Sequence, residues 1–205
     1  MYVRDAKNRE EVWLLDHIEA MGLDETAFRS RDYVIAIDEE TNEKAGFGRI
    51  RIHKGDDDTR NAAGRRVDSD TDVCELTSIG VLPDWRRQGV GAHVVERLVQ
   101  IAGDDGFETV YALTDQSDYL AQFGFERIDT ATLPDQLQDR LSIKRDNIQP
   151  DAVPLRLATD RFHMPDRLRE RFKGAVAQAD ETVEDTPEDF GIDPDSATYK
   201  YDTDR

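Results

Sequence analysis

The chain is expected to fold as a mixed α/β protein, a single sheet with helices on its faces. Strand-like runs, alternating or wholly apolar, recur from the first residues to beyond residue 150. Between them, apolar positions fall at three- and four-residue steps, as helices require. No internal repeat at a solenoid period competes with that alternation.

Tyr2-Val3-Arg4 opens as a short strand, and Val12, Leu15, Ile18 and Met21 then mark a helix ending at Gly22. Residues 33–37 and 45–52 are strand-like and are separated by polar turn residues, which predicts a hairpin. From Lys54 to Asp72 there is almost no apolar residue, so an exposed loop is expected. Residues 73–81 form a strand, followed by Pro83, Asp84, a glycine-containing loop and a helix over about 91–103. Residues 109–113 are the next strand. A short helix over about 119–123 stops at Gly124, and 125–128 are extended again. Leu137 and Leu141 mark a helix over 134–147, and Val153 to Leu157 supply a last strand, expected at an edge because Pro154 lacks an N–H. One more helix is expected over 165–176. Residues 179–205 are rich in Asp, Glu, Thr and Pro and read as a disordered acidic tail. Residues 1–178 are thus one domain, with 133–178 as a C-terminal extension.

The 205 residues carry a net charge of −18, and the acidic residues are spread along the whole chain. Such a solvating surface suits a protein working at high salt, a halophilic character, and repels phosphate backbones and anionic headgroups. Nucleic acid and membranes are therefore not expected partners. With one cysteine, no leader-like start and no long apolar run, a cytoplasmic protein is expected. Cys74 lies in an alternating apolar segment and reads as a small core residue. His93 and His163 have no partner at metal-ligand spacing, so both read as structural and no metal is expected.

The chemistry is expected in Arg86-Arg87-Gln88-Gly89-Val90-Gly91. Glycines at a helix start allow a tight turn with unpaired amides pointing outward, and the helix dipole and two arginines add positive charge. A pyrophosphate is the fitting guest. The loop lacks the Gly-Lys-Ser/Thr ending of a triphosphate-binding loop.

The stretch from Glu75 to Gly91, a strand followed by Val81-Leu82-Pro83 and then the Arg/Gln-x-x-Gly-x-Gly pattern, resembles the central motif of GNAT acetyltransferases. Tyr119-Leu120-Ala121-Gln122-Phe123-Gly124-Phe125 is similar to that family's short helix and terminal Gly-Phe, and the resemblance spans about residues 2–128. It implies a mostly antiparallel central sheet splayed between the fourth and fifth strands, with acetyl-CoA as co-substrate. Ile79, Gly80 and Val81 would run along the pantetheine, the Ile79 amide would face the thioester carbonyl, and residues 86–91 with Ala92 would hold the pyrophosphate. One positioned amide is worth about 3–4 kcal/mol to a tetrahedral oxyanion.

An alkylammonium must lose a proton before attack. The resemblance implies Glu75 as the base, whereas a solvent-facing strand position is the plainer reading of the same residue. The family's usual thiolate-protonating Tyr falls at Leu120 here, with Tyr119 one step, or about 100°, away on the helix. The implied activity is acetyl transfer to a primary amine of a small molecule or amino acid by direct attack in a ternary complex. The alternatives are an N-acetylglutamate synthase-like enzyme, since that family also begins its motif strand with Glu-Leu, and a non-catalytic CoA-binding or regulatory module. The extension carries Lys144, Arg145, Arg156, Arg161, Arg167, Arg169 and Arg171, either lining an anionic substrate site or forming solvated helix faces. The resemblance also implies a possible homodimer.

Overall fold

Seven strands form one sheet in the order β1-β2-β3-β4-β5-β7-β6 in the computed structural model, which describes residues 1–55 and 72–177. They are β1 Tyr2–Asp5, β2 Tyr33–Ile37, β3 Lys44–His53, β4 Val73–Val81, β5 Thr109–Thr114, β6 Glu126–Arg127 and β7 Val153–Ala158. All neighbours are antiparallel except β4 and β5. Among the described residues five α-helices accompany them: α1 Glu11–Ala20, α2 Val90–Asp104, α3 Ser117–Ala121, α4 Asp135–Asn147 and α5 Asp166–Lys173. The expected loop over 54–72 falls mostly, and the expected tail over 179–205 wholly, outside the described residues.

Side chains alternate across the strands, so consecutive residues feed opposite faces. On one face Val34, Ala36, Cys74 and Leu76 pack with Val94, Val95 and Leu98 of α2 and with Leu168 and Phe172 of α5. On the other, Leu14 and Ile18 of α1 cover Ile35, Ile37 and Phe47, and Leu137 and Leu141 of α4 cover Val73 and Leu113. Two expectations are corrected. The apolar face of α1 is Leu14 and Ile18, an i, i+4 pair, while Val12 is 70% exposed. And β7 lies inside the sheet, between β5 and β6. Pro154 is tolerated there because β6 is only two residues long and pairs with Leu155 and Arg156, while the Pro154 carbonyl accepts from the Ile128 amide at 3.1 Å.

The sheet opens at its centre. The parallel β4–β5 register covers Cys74, Glu75 and Leu76 opposite Val110, Tyr111 and Ala112, and residues 77–81 of β4 have no register partner on β5. On its other side β4 carries a bulge. Phe47 pairs with Gly80 and Arg49 with Thr77, so Ser78 and Ile79 together oppose Gly48 alone, and Ser78 adopts φ 49°. An extra residue bends the strand and increases its twist. The gap between β4 and β5 begins beside that bend.

Candidate active site

Two cavities meet at the opening. One, about 320 Å³, lies in the gap between β4 and β5 and is lined by Thr77, Ile79, Val81, Thr114, Tyr119 and Lys144 among others. The second, about 360 Å³, lies over the start of α2 and is lined by Arg86, Arg87, Gly89, Val90, Gly91, Arg167 and Arg171 with neighbouring residues. Val81, Gly91 and Tyr119 line both. A ligand with an anionic head and an extended arm can therefore occupy the two together.

Gly89 caps α2 with φ 81°, and a Cβ there would lie 2.3 Å from the Leu168 carbonyl oxygen, so both conformation and space exclude a side chain. α5 is thus seated directly on the loop. Arg171 donates to the Arg87 carbonyl at 3.5 Å, and the His93 ring, whose Nδ1 is 3.1 Å from the Gly89 oxygen, stacks on Phe172 at 3.7 Å between centroids. Gln88 turns away from the cavity and bonds Val176 through both ends of its amide, at 2.8 and 3.0 Å. Gly80 and Ala92 are buried behind the lining, against Met21 and within the α2 core respectively. The cation supply is therefore wider than the motif: Arg86 and Arg87 from the loop, Arg167 and Arg171 from the extension. Arg145 is engaged with the Ala152 carbonyl at 2.8 Å, Arg169 pairs with Glu96 at 2.9 Å and Arg156 with Glu126 at 4.0 Å, while Arg161 is exposed away from both cavities.

Tyr119 sits at the junction, and a Cβ on Gly91 would meet its hydroxyl at 3.0 Å. Leu120, at the expected tyrosine position, is buried in the core. Leu120 also lines the inter-strand cavity, but Tyr119 alone of the two reaches both cavities. Burial, partly opposed by nearby Arg167, pushes the Tyr119 phenol up to about 12, which keeps it protonated. Burial likewise pushes the Cys74 thiol up to about 12, as an inert core residue requires.

Glu75 is fully enclosed rather than solvent-facing, which corrects the plainer sequence reading. α4 covers its face of the sheet. Its Oε2 meets His53 Nε2 at 2.8 Å and accepts from Arg140 Nε at 3.2 Å, while Oε1 has no partner among the described residues. Arg140 also donates to buried Asp24, which lies 3.9 Å from Arg51. Leu137, Arg140, Leu141 and Lys144 form one buried stripe of α4, so two cations at i, i+3 and i+4 spacings among leucines were the available signal for this cluster. The sequence reading missed Arg140, Asp24 and His53.

Lys144 is 6% exposed and lines the inter-strand cavity, and its side-chain ammonium makes no hydrogen bond or ion pair among the described residues. Burial lowers its pKa to about 8, with Arg140 acting in the same direction and Glu75 and Asp115 opposing. Because the folded value lies below the unfolded one, the unfolded chain binds more protons between about pH 8 and 10.5, so the penalty is full below pH 8 and fades as pH rises through that window. Lys144→Met is accordingly expected to stabilise the ligand-free protein by about 1–3 kcal/mol at pH 7, with the difference closing toward pH 10.5. Urea unfolding at several pH values measures this, and an unchanged gap at high pH would refute it.

Among the described residues no group of three or more His, Cys, Asp or Glu could hold a metal, and no helix is long and apolar enough to cross a membrane.

Residues 2–128 match the model of the acetyltransferase (GNAT) family. An amino-acid acetyltransferase of Mycobacterium tuberculosis is 28% identical over 71 residues, 35% of this chain and 41% of that protein. An uncharacterized N-acetyltransferase of Chlorobaculum tepidum is 26% identical over 65 residues, 32% of this chain and 42% of that one. The chain thus spans about two fifths of these curated relatives. Among solved structures, Rv2747 of Mycobacterium tuberculosis in complex with CoA superposes with a TM-score of 0.57 at 17% identity, covering 77% of this chain and 99% of that one. The N-acetylglutamate synthase of Neisseria gonorrhoeae, complexed with coenzyme A and N-acetyl-glutamate, gives 0.54 at 18% identity, covering 77% and 34%. At these identities the two structures establish a shared fold.

Proposed function

Since the chain belongs to the acetyltransferase (GNAT) family, we propose that it is an acetyl-CoA-dependent N-acetyltransferase, moving an acetyl group to a primary amine of a small molecule or amino acid by direct attack in a ternary complex. The observation that carries this reading is the pair of cavities joined at Val81, Gly91 and Tyr119. In it, the pyrophosphate lies at the start of α2 among Arg86, Arg87, Arg167 and Arg171, and the pantetheine runs past Val81 and Ile79 into the strand gap. Anions are favoured at that helix end by free amides and the dipole.

The Ile79 amide, on the bulged segment of β4, stabilises the oxyanion, and Tyr119 protonates the leaving thiolate. Glu75 is the proton acceptor for the amine through a bridging water at its unpartnered Oε1, since its enclosure closes direct contact. Thr77, whose hydroxyl also has no partner among the described residues, lies on the same strand face beside the cavity. The extension after residue 128 belongs to the same domain, because β7, α4 and α5 complete the sheet and both cavities.

Calorimetry with acetyl-CoA, in high salt to suit a net charge of −18, is expected to show micromolar binding; no binding would sink the reading. In steady-state assays, Tyr119→Phe is expected to lower kcat about 100-fold with the KM for acetyl-CoA unchanged, the range for loss of a general acid. An unchanged kcat would remove Tyr119 from the chemistry. An amino-acid acceptor is favoured over a plain amine by one observation, the unpaired Lys144 ammonium.

A further inference from the structure

We propose that Lys144 anchors a carboxylate of the acceptor, so that the enzyme selects amines bearing a carboxylate, of the amino-acid kind, over plain alkylamines. This rests on the N-acetyltransferase reading and adds the substrate class to it.

An unpaired buried ammonium is costly to the ligand-free fold, and a ligand carboxylate relieves that cost. Lys144 is more than nine-tenths buried, yet the carboxylates around it are engaged elsewhere: Glu75 holds His53 and Arg140, and Asp24 holds Arg140 and the Thr26 amide. Asp115, at the exposed rim, accepts from Gln116 and Gln149. Asp24 and Glu75 face Arg51, Arg140 and Lys144, and the third carboxylate, Asp115, lies at the exposed rim without bonding Lys144. The cavity lined by Lys144 is where an anion can enter to pair its ammonium directly.

Two further residues lining the same cavity carry buried polar atoms without partners among the described residues, Thr77 Oγ1 and Gln149 Oε1. Gln149 Oε1 accepts hydrogen bonds only, which suits an amine, and Thr77 Oγ1 can donate or accept. A cation, a pure acceptor and a hydroxyl around about 320 Å³ match a small molecule carrying both an amine and a carboxylate. Two of the three come from α4 and the turn after it, beyond the residues matched by the family model. Acceptor choice is thereby placed largely in the extension, which also lends Arg167 and Arg171 to a donor site otherwise built from the shared part.

The test is steady-state acetylation by the full chain with acetyl-CoA and acceptors matched in their amine: L-glutamate, L-aspartate and L-leucine against their α-carboxamides. The preferred acid is expected to exceed its carboxamide in kcat/KM by about 1000-fold, within the range for leaving one member of a buried charge pair unmatched. Lys144→Met is expected to cost about 100-fold on the acid, carried by KM, while the carboxamide changes by less than about threefold, and Lys144→Arg recovers most of the loss. Acetyl-CoA affinity and thermal midpoint, measured on the same preparations, separate the outcomes. The anchor is overturned if wild type binds acetyl-CoA yet uses acids and carboxamides alike, if it binds acetyl-CoA and acetylates none of the acids, or if Lys144→Met lowers both kinds of acceptor equally. No acetyl-CoA binding by wild type overturns the N-acetyltransferase reading itself, and the anchor with it.

Discussion

Gly89→Ala is expected to weaken acetyl-CoA binding at least about 100-fold and to lower the thermal midpoint by roughly 4–8 °C. Two costs coincide at this position. The left-handed φ of 81° costs a side-chain-bearing residue about 1–2 kcal/mol, and the added carbon would lie 2.3 Å from the Leu168 carbonyl, a backbone atom that cannot rotate away. Relief requires α5 to move off the loop, taking Arg167 and Arg171 with it. Calorimetry and thermal unfolding read the two effects separately. The double variant Arg86→Ala with Arg87→Ala supplies the control: both side chains are exposed, so binding is expected to fall about 10- to 100-fold with the midpoint unchanged. Undiminished affinity in folded Gly89→Ala would show that the phosphates do not sit at this loop.

Arg140→Met is expected to cost about 3–5 kcal/mol, the range found when one partner of a buried ion pair is removed. For a domain of this size that is a fall in midpoint of about 10 °C or more. Methionine fills much of the volume but leaves Glu75 with His53 alone and Asp24 with a guanidinium 3.9 Å away. Adding Glu75→Gln removes one of the stranded charges, so the double variant is expected to be more stable than Arg140→Met by itself. Chemical denaturation gives both quantities. A cost below about 1 kcal/mol for Arg140→Met would mean that these charges are solvated in a way their burial does not suggest.

The legible and illegible parts of the sequence differ in the range over which residues act. β4 matches its expected limits at both ends because nine residues are read locally, by apolar character and a following proline. α2 was legible for the same reason, from Val94, Val95, Leu98 and Val99, and the loop before it from its own glycines. The phase of α1 was missed because Val12 and Leu15 offered a three-residue series that competes with Leu14 and Ile18. Pro154 misled because proline marks a strand segment lacking a neighbour, not an entire edge strand, and β6 is too short to need that N–H. Glu75 was singled out, but its surroundings were not: His53 and Arg140 reach it and Asp24 reaches Arg140, from three distant parts of the chain, and no local period encodes that meeting. Arg167 and Arg171 stood out only as members of a general basic stretch, since their approach to the cofactor loop depends on how α5 docks.

The position of β7 between β5 and β6 has a consequence for how the molecule comes into being. A nascent chain emerges from its N-terminal end, and the family-matched segment is complete at residue 128. At that moment β5 has a partner on only one side and β6 has none, because the strand that joins them, Val153–Ala158, has not yet been made. The segment up to residue 128 would by itself present an open sheet edge at Thr109–Thr114, which β7 covers. The native sheet is complete only with residues that follow the segment bearing the recognisable motif.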